Sequence, residues 1–345
     1  MSNNLRTRNG LPFNFVDGIS VGGVDLSGPE GSSKVGYENE NLKDALDRIK
    51  DGVIYAKKYL VADGVTDDTL NLLLALTVAN GRKLVFSYKL NIYLASAVNY
   101  EGSVDINLNS SRLVAPNRAL RVQKIKNTYA SSSALLSFVK GNRRFIIPEG
   151  MSFTTGDYVE FLSNTVYEEA GQNKYGHCCT LISVSDGLAN LSHPLTEAFD
   201  VNTINVYEGY SGIIENGIID QSGFVDPGTF LSTGLPQECI SFRGSSFEFD
   251  NLQLIGNDYT AVGLYAQATV VRGSKSYGYG HANITGYGSN GRLGYGILVH
   301  GQDVILDQCG GANCKHVLMT GSRNFWTEKL LFLTLFVGHH PLDGM

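Results

Sequence analysis

Charge is scarce in this sequence. Only 17% of its 345 residues are Asp, Glu, Lys or Arg, and the formal net charge is −6 with a pI near 5.7. A nucleic-acid partner needs basic residues concentrated on one face, so none is expected. Long apolar runs are also missing. None nears the about 18 residues of a membrane span, and insertion into a bilayer is not expected. Proline occurs eight times and tryptophan once. The five cysteines, Cys178, Cys179, Cys239, Cys309 and Cys314, are odd in number. Their spacing matches neither a zinc site nor a disulfide framework, so they read as buried or half-buried thiols made in a reducing cytoplasm. No apolar segment follows the positive charges of the first ten residues, and no signal peptide is expected.

What is abundant is glycine, at 40 residues, but without the Gly-X-Y period of collagen. Together with many Val, Ile, Tyr, Phe, Ser and Asn it suits short strands joined by tight turns. One block organises the chain: Val61-Ala62-Asp63-Gly64-Val65-Thr66-Asp67-Asp68-Thr69. A leucine-rich run to Ala79 follows, and then Asn80-Gly81-Arg82-Lys83-Leu84-Val85-Phe86. Asp63-Gly64 is a turn dipeptide, and Thr66, Asp67 and Asp68 can accept hydrogen bonds from the free N–H groups of a first helical turn. Leu70, Leu73, Leu74, Leu76 and Val78 give that helix a broad apolar surface, and Asn80-Gly81 ends it. Leu84-Val85-Phe86 reads as a short strand.

Before this block, residues 1–40 are polar and glycine-rich, with one strand pair around Phe13 to Val24 turned at Asp17-Gly18. Residues 41–55 hold a short connecting helix, since Leu42, Ala45, Leu46 and Ile49 share a face. That helix is too short to stand alone, and its stripe calls for the solenoid end or a second copy. Residues 56–90 are the opening and cap helix, 91–338 a body of short strands with loop insertions, and 339–345 a tail. Ile92-Tyr93-Leu94, Val104 to Leu108, Ser111 to Val114, Leu135 to Val139 and Cys179 to Val184 are candidate strands. From Asn202 a two-strand unit recurs. Its openings, Ile204-Asn205-Val206, Ile240-Ser241-Phe242, Val262-Gly263-Leu264 and Ile297-Leu298-Val299, lie roughly 20–36 residues apart, a coil of twenty-odd residues plus inserted loops. Each unit has an inner apolar face that only a neighbour can cover. The recurrence points to an all-β solenoid, which the family resemblance described next makes a right-handed parallel β-helix with an N-terminal capping α-helix. The apolar run Leu330 to Val337 is one more coil strand.

The Asp-Gly-Val-Thr-Asp-Asp-Thr block, its helix, the glycine turn and the short strand resemble the opening of the pectate-lyase-like parallel β-helix. The nearest members are bacteriophage and prophage tailspikes. Ser87-Tyr88-Lys89-Leu90 stands where members often carry a Pro-Pro-Gly turn. A second resemblance to late tailspike coils lies at Gly294 to Gly301 and Asn313 to Gly321, with Lys315 where arginine is usual. The resemblance implies a spike that binds and cleaves a bacterial surface polysaccharide, capsule or O-antigen. It implies a homotrimer, joined to the phage tail or baseplate through the N-terminal segment, in a virion released by lysis and with no cofactor. The alternative is a non-enzymatic glycan-binding or structural tail protein, or an inactive truncated prophage remnant. The abrupt C-terminus, without a trimerising tail domain, favours that alternative.

Cleavage would use paired carboxylates about 5–5.5 Å apart for retention or about 6.5–9.5 Å for inversion, or a base acting on a uronic acid. Glu215, Asp220 and Asp226 form the best local cluster and are the catalytic candidates, with corner and cap roles as the plainer reading. Glu248 and Asp250 flank Phe249 and share a strand face, and Asp258 lies in a loop. His300 and His316 could act as bases in a lyase, or be hydrogen-bonded corner residues. His339 and His340 read as surface residues. Tyr277, Tyr279, Tyr287 and Tyr295 sit among glycines, where exposed rings can stack on sugars or pack against a neighbouring coil. No histidine or carboxylate cluster has metal-ligand spacing, and no Gly-x-Ser-x-Gly elbow occurs. Gly286 to Gly291 does not follow the phosphate-binding pattern. Hydrolase and lyase are not separable from the residues alone.

Overall fold

The computed structural model describes residues 52–116, 118–166, 174–223, 239–256, 262–278, 295–301 and 303–312. It also describes the strands His316–Thr320 and Lys329–Val337 and five two-residue strands before residue 42. The chain forms two units, residues 1–54 and 55–345. In the first, Phe13–Asn14, Ser20–Val21 and Val24–Asp25 make a small antiparallel sheet, and Gly36–Tyr37 pairs with Glu40–Asn41. Of the connecting helix expected over 41–55, Asn41 and Ile54–Tyr55 belong to strands and residues 42–51 lie outside the described residues.

The second unit is a parallel solenoid with three faces. The first sheet stacks Val98–Tyr100, Leu120–Val122, the start of Ile240–Ile255, the start of Val262–Arg272, Tyr295–His300 and His316–Thr320. The second stacks Lys83–Val85, Val104–Asn107 and the start of Ser211–Asp220, then the middles of the two long strands, Asp303–Ala312 and Lys329–Val337. The third runs from Asn91–Tyr93 through Arg112–Val114 and the ends of the long strands to Lys275–Tyr277. Alternation dictates which residues point in. On the second sheet Leu84, Ile106, Ile214, Phe249, Val271 and Leu306 stack in register, all buried. In three successive coils the corner between the second and third sheets includes a left-handed residue at Asn216 (φ 60°), Asn251 (φ 48°) or Gln308 (φ 52°). Asparagine tolerates this conformation, and the Asn251 amide donates to Asn216 Oδ1 at 2.9 Å.

The cap helix is Thr69–Ala79, stopped by left-handed Asn80, whose N–H donates to the Leu76 carbonyl. Its buried stripe is Leu72, Ala75, Leu76 and Ala79, while Leu70 and Leu74 are 77% and 52% exposed. Of the aspartates, Asp67 does accept the Thr69 N–H and ties the helix start to Ala95 N–H. Asp68 makes no cap bond to the helix backbone. Its buried carboxylate instead holds the incoming chain, accepting from Val61 N–H (2.8 Å) and Ala62 N–H (2.7 Å).

Sequence reading is corrected most between residues 125 and 207. This stretch leaves the solenoid after Leu120–Val122 and forms an antiparallel insertion with its own core. Its main sheet runs in the order Ile125–Ala130, Thr203–Tyr207, Tyr158–Val166, Lys174–Ser185, Leu188–Leu191, Arg144–Ile146. A ring cluster fills it, with Phe138 edge-on to Phe161 at 4.9 Å and Phe145 to Phe153 at 5.6 Å. Leu136–Phe138, the Cys179 to Val184 strand and Ile204-Asn205-Val206 therefore belong to antiparallel sheets. None of them opens a coil. Period-two alternation marks a half-buried strand but not its partner's direction. The other three openings and the Lys329–Val337 strand do lie in stacked coils. Cys178, Cys179, Cys239 and Cys309 are buried cysteines outside any disulfide, and Cys314 lies outside the described residues.

Candidate functional site

On the second sheet the residues between the inward column face outward and align from coil to coil. One row reads Lys83, Asp105, Ile213, Glu248; the next reads Asn107, Glu215, Asp250, Arg272, Asp307. Neighbours within a row are about 4.8 Å apart at the backbone, and two residues along one strand about 6.6 Å. Four carboxylates, Asp105, Glu215, Glu248 and Asp250, therefore surround the half-exposed Ile213.

Glu215 is the hub of the patch. Its Oε1 accepts from Lys83 Nζ at 2.6 Å and from Asn107 Nδ2 at 2.8 Å, and its side chain is only 19% exposed. The Glu215 contact raises the Lys83 ammonium above its ordinary value, against the opposing effect of burial. Asp105 differs. Its Oδ1 is shut off from solvent and has no hydrogen-bond partner among the described residues. Burial pushes its carboxyl above the usual range; Lys83 pulls it back and the Glu215 charge raises it further. A carboxyl whose burial disfavours its ionised form thus lies diagonally across from a carboxylate held by a lysine. Their backbones are about 8 Å apart by strand geometry. Glu248 is ion-paired with Arg272.

Asp220 stands apart from this patch. The corner at Asn216 separates it from Glu215, and it pairs with Val114 and Ile255 on the third sheet. Both Nε and Nη2 of Arg112 donate to its Oδ2. Burial alone would raise the Asp220 carboxyl, but hydrogen bonds from Ser222 and Arg112 outweigh it and hold it below the usual range. The two predicted carboxylates that are described are thus not brought together, and each has its own cation. Asp226, Asp258, Tyr279, Tyr287, His339 and His340 lie outside the described residues. Tyr277 is a partly exposed residue of the third sheet. Tyr295, His300 and His316 sit on first-sheet strands, their side chains outside the description.

Glu248 and Asp250 do share a face, either side of buried Phe249, and they adjoin Glu215. Sequence reasoning passed over Asp105, Asn107, Lys83 and Arg272. The alternation over Val104 to Leu108 marks Asp105 and Asn107 as outward, yet their neighbour Glu215 is 108 residues from Asn107 along the chain. Among the described residues no group of three or more His, Cys, Asp or Glu could hold a metal ion, and no helix is long and apolar enough to cross a membrane.

No family model and no curated protein sequence matches the chain. Among solved structures the chain is similar to the tailspike protein gp49 from Pseudomonas phage LKA1, at 14% identity and a TM-score of 0.55. That match covers 80% of this chain and 50% of gp49, so the chain spans about half the length of that spike. Two further matches are the tailspike gp61 of Pseudomonas phage phi297 and the Gp54 tailspike of Acinetobacter baumannii bacteriophage AP22. The first has 11% identity and a TM-score of 0.37, covering 75% of this chain and 56% of that one. The second, in complex with A. baumannii capsular saccharide, has 11% identity and a TM-score of 0.39, covering 81% and 54%. At 14% identity what the chain shares with gp49 is the fold, a β-rich solenoid.

Proposed function

We propose that this chain is the solenoid part of a phage tailspike that binds and cleaves a bacterial surface polysaccharide on the outward face of its second sheet. The observation that carries the reading is the pair Asp105 and Glu215, two carboxyl groups on adjacent coils with opposite environments. A partly buried carboxyl biased toward its protonated form, beside a lysine-held carboxylate, is the division of labour that glycoside hydrolysis needs. Asp105 donates the proton to the leaving oxygen. Glu215 takes a proton from water on the far side of the sugar. Their backbones are about 8 Å apart on the diagonal, and this placement is read as inverting, a geometry that holds the two carboxyl groups about 6.5–9.5 Å apart. Exposed Ile213 offers an apolar platform between them. Assembly as a homotrimer, with attachment to the tail through the N-terminal unit, belongs to the same reading. Repetition of a weak glycan site raises its effective concentration on a polymer.

The test is incubation with capsules and lipopolysaccharides, followed by assays of reducing ends and of the ultraviolet absorbance of unsaturated uronates. Hydrolysis gives reducing ends without new absorbance, and Asp105→Asn and Glu215→Gln each abolish it. New absorbance would make the enzyme a lyase instead. Full activity in both variants would move the site off this face. The ion pairs that occupy Glu215 and Glu248 favour a second reading, a glycan-binding spike without turnover, which predicts binding and no new ends on any host glycan. Light scattering of the purified chain, at one or three times 37.4 kDa, tests the trimer.

A further inference from the structure

The insertion leaves and rejoins the solenoid through a neck of two chains. Glu208 N–H donates to the Lys124 carbonyl at 2.9 Å, and Ile125 pairs with Tyr207 directly above. From that neck the insertion lies along successive coils. One layer on, Glu160 meets Arg243 at 3.3 Å, and Arg243 also donates to Gln123 and sits over the Tyr265 ring at 4.0 Å. In the next layer, Gln267 Oε1 accepts from Thr180 N–H at 3.0 Å. In the layer after that, His193 Nε2 lies 2.7 Å from Asp303 Oδ2, the contact farthest from the neck. Three layers, about 14 Å of solenoid, separate neck from far end.

We infer that the insertion is an arm hinged at its neck and latched at its far end by His193 and Asp303, the latch being tightest when the imidazole is protonated. An imidazole is the side chain whose ordinary charge change falls between about pH 5 and 8. Other ionisable groups face the junction from both sides. Burial, and after it the neighbouring His193, pushes His177 down to about 4, so it stays neutral. Burial drives Tyr158, Tyr207 and Cys179 far above it. Glu160 and Arg243 form a buried ion pair, and on the solenoid side Asp303 and Asp307 are carboxylates and Arg272 a guanidinium. The second ring nitrogen of His193, Nδ1, is 3.3 Å from Ser192 Oγ. When charged, His193 gives Asp303 a charge-paired hydrogen bond; when neutral, a single ordinary one. The docked arm is therefore held more tightly by a charged His193 than by a neutral one. The contact is partly exposed, 19% at His193 and 37% at Asp303, so the gain is that of a surface ion pair, about two- to five-fold in the docking equilibrium.

This reading is independent of any activity. Hydrogen exchange of the full chain at about pH 5.5 and pH 8, corrected for intrinsic rates, reads the protection of residues 188–199. Protection about two- to five-fold higher at the lower pH, lost in both His193→Gln and Asp303→Asn, is expected. Equal protection at both pH values in the parent chain overturns the latch, as does a pH dependence that survives either substitution. Should His193→Gln fail to fold, Asp303→Asn decides alone, because it alters one atom on the solenoid side.

Discussion

Replacing Asp68 by alanine should loosen the N-terminal end of the solenoid more than any other single change in the opening block. The Asp68 side chain is fully buried, and both oxygens are used. Oδ1 accepts from Val61 N–H and from the Asn71 amide, and Oδ2 from Ala62 N–H. Ala62 is held at φ 54°, a left-handed conformation an alanine enters only when something fixes it. Removing the carboxylate leaves two backbone donors without a partner and releases that turn. A hydrogen bond to a charged group contributes about 1.5–3 kcal/mol, and an unsatisfied buried donor costs about 1–3 kcal/mol. These effects overlap, so a net loss of about 3 kcal/mol is expected. Asparagine should do little better, because its amide nitrogen would face one of the two N–H groups. Urea unfolding of Asp68→Ala and Asp68→Asn, with hydrogen exchange at Lys83–Val85 beneath the cap, measures both effects. Asp63, exposed and bonded only within its own turn, is the comparison, and its alanine variant should lose much less. A loss below about 1 kcal/mol at Asp68, or equal losses at Asp63 and Asp68, would refute the reasoning.

Three further outcomes are expected. Arg112→Met should destabilise the chain by about 1–3 kcal/mol in urea at neutral pH, because it takes the guanidinium from the buried Asp220 carboxylate and leaves only the Ser222 bonds. Since the Asp220 carboxyl is held low, its share of stability is present above the ordinary Asp range and lost as pH falls through its folded value, so the penalty should shrink in acid. Gly217→Val should cost about 1–3 kcal/mol by overpacking, since even a Cβ there would lie 2.4 Å from the Leu108 Cβ. Asp105→Asn should stabilise the chain at neutral pH in the same urea assay: a carboxyl whose folded value is raised costs stability once ionised, so the variant's advantage should vanish as pH falls below the ordinary Asp range.

Much of the solenoid was legible because its determinants are local. Leu84, Ile106, Ile214 and Phe249 each lie in a short alternating stretch, and Asn216 and Asn251 sit where the chain must turn on one residue. The insertion was not legible for the same reason. Strands such as Thr203–Tyr207 alternate as coil strands do, and only the partner, Tyr158–Val166 running antiparallel, tells them apart. A parallel partner and an antiparallel one ask the same pattern of a half-buried strand.

The candidate site is a harder case, and its difficulty follows from the architecture. A solenoid face places side by side residues that are one coil apart, and a coil can hold any number of inserted residues at small cost in closure entropy. Asn107 and Glu215 are layer neighbours because more than eighty residues of insertion loop out between their coils and return through a closed neck. Linear proximity therefore misleads on this fold. Glu215 and Asp220 are close in sequence yet lie on opposite sides of a corner, whereas Lys83, Asp105 and Glu215 come from three separate coils to one patch. What sequence could supply was the outward phase of each strand. Asp105 and Asn107 alternate with buried Val104, Ile106 and Leu108, and Glu248 and Asp250 flank buried Phe249. Aligning outward charged positions of successive strands on their inward columns, rather than reading along the chain, brings Asp105, Glu215 and Asp250 to one face.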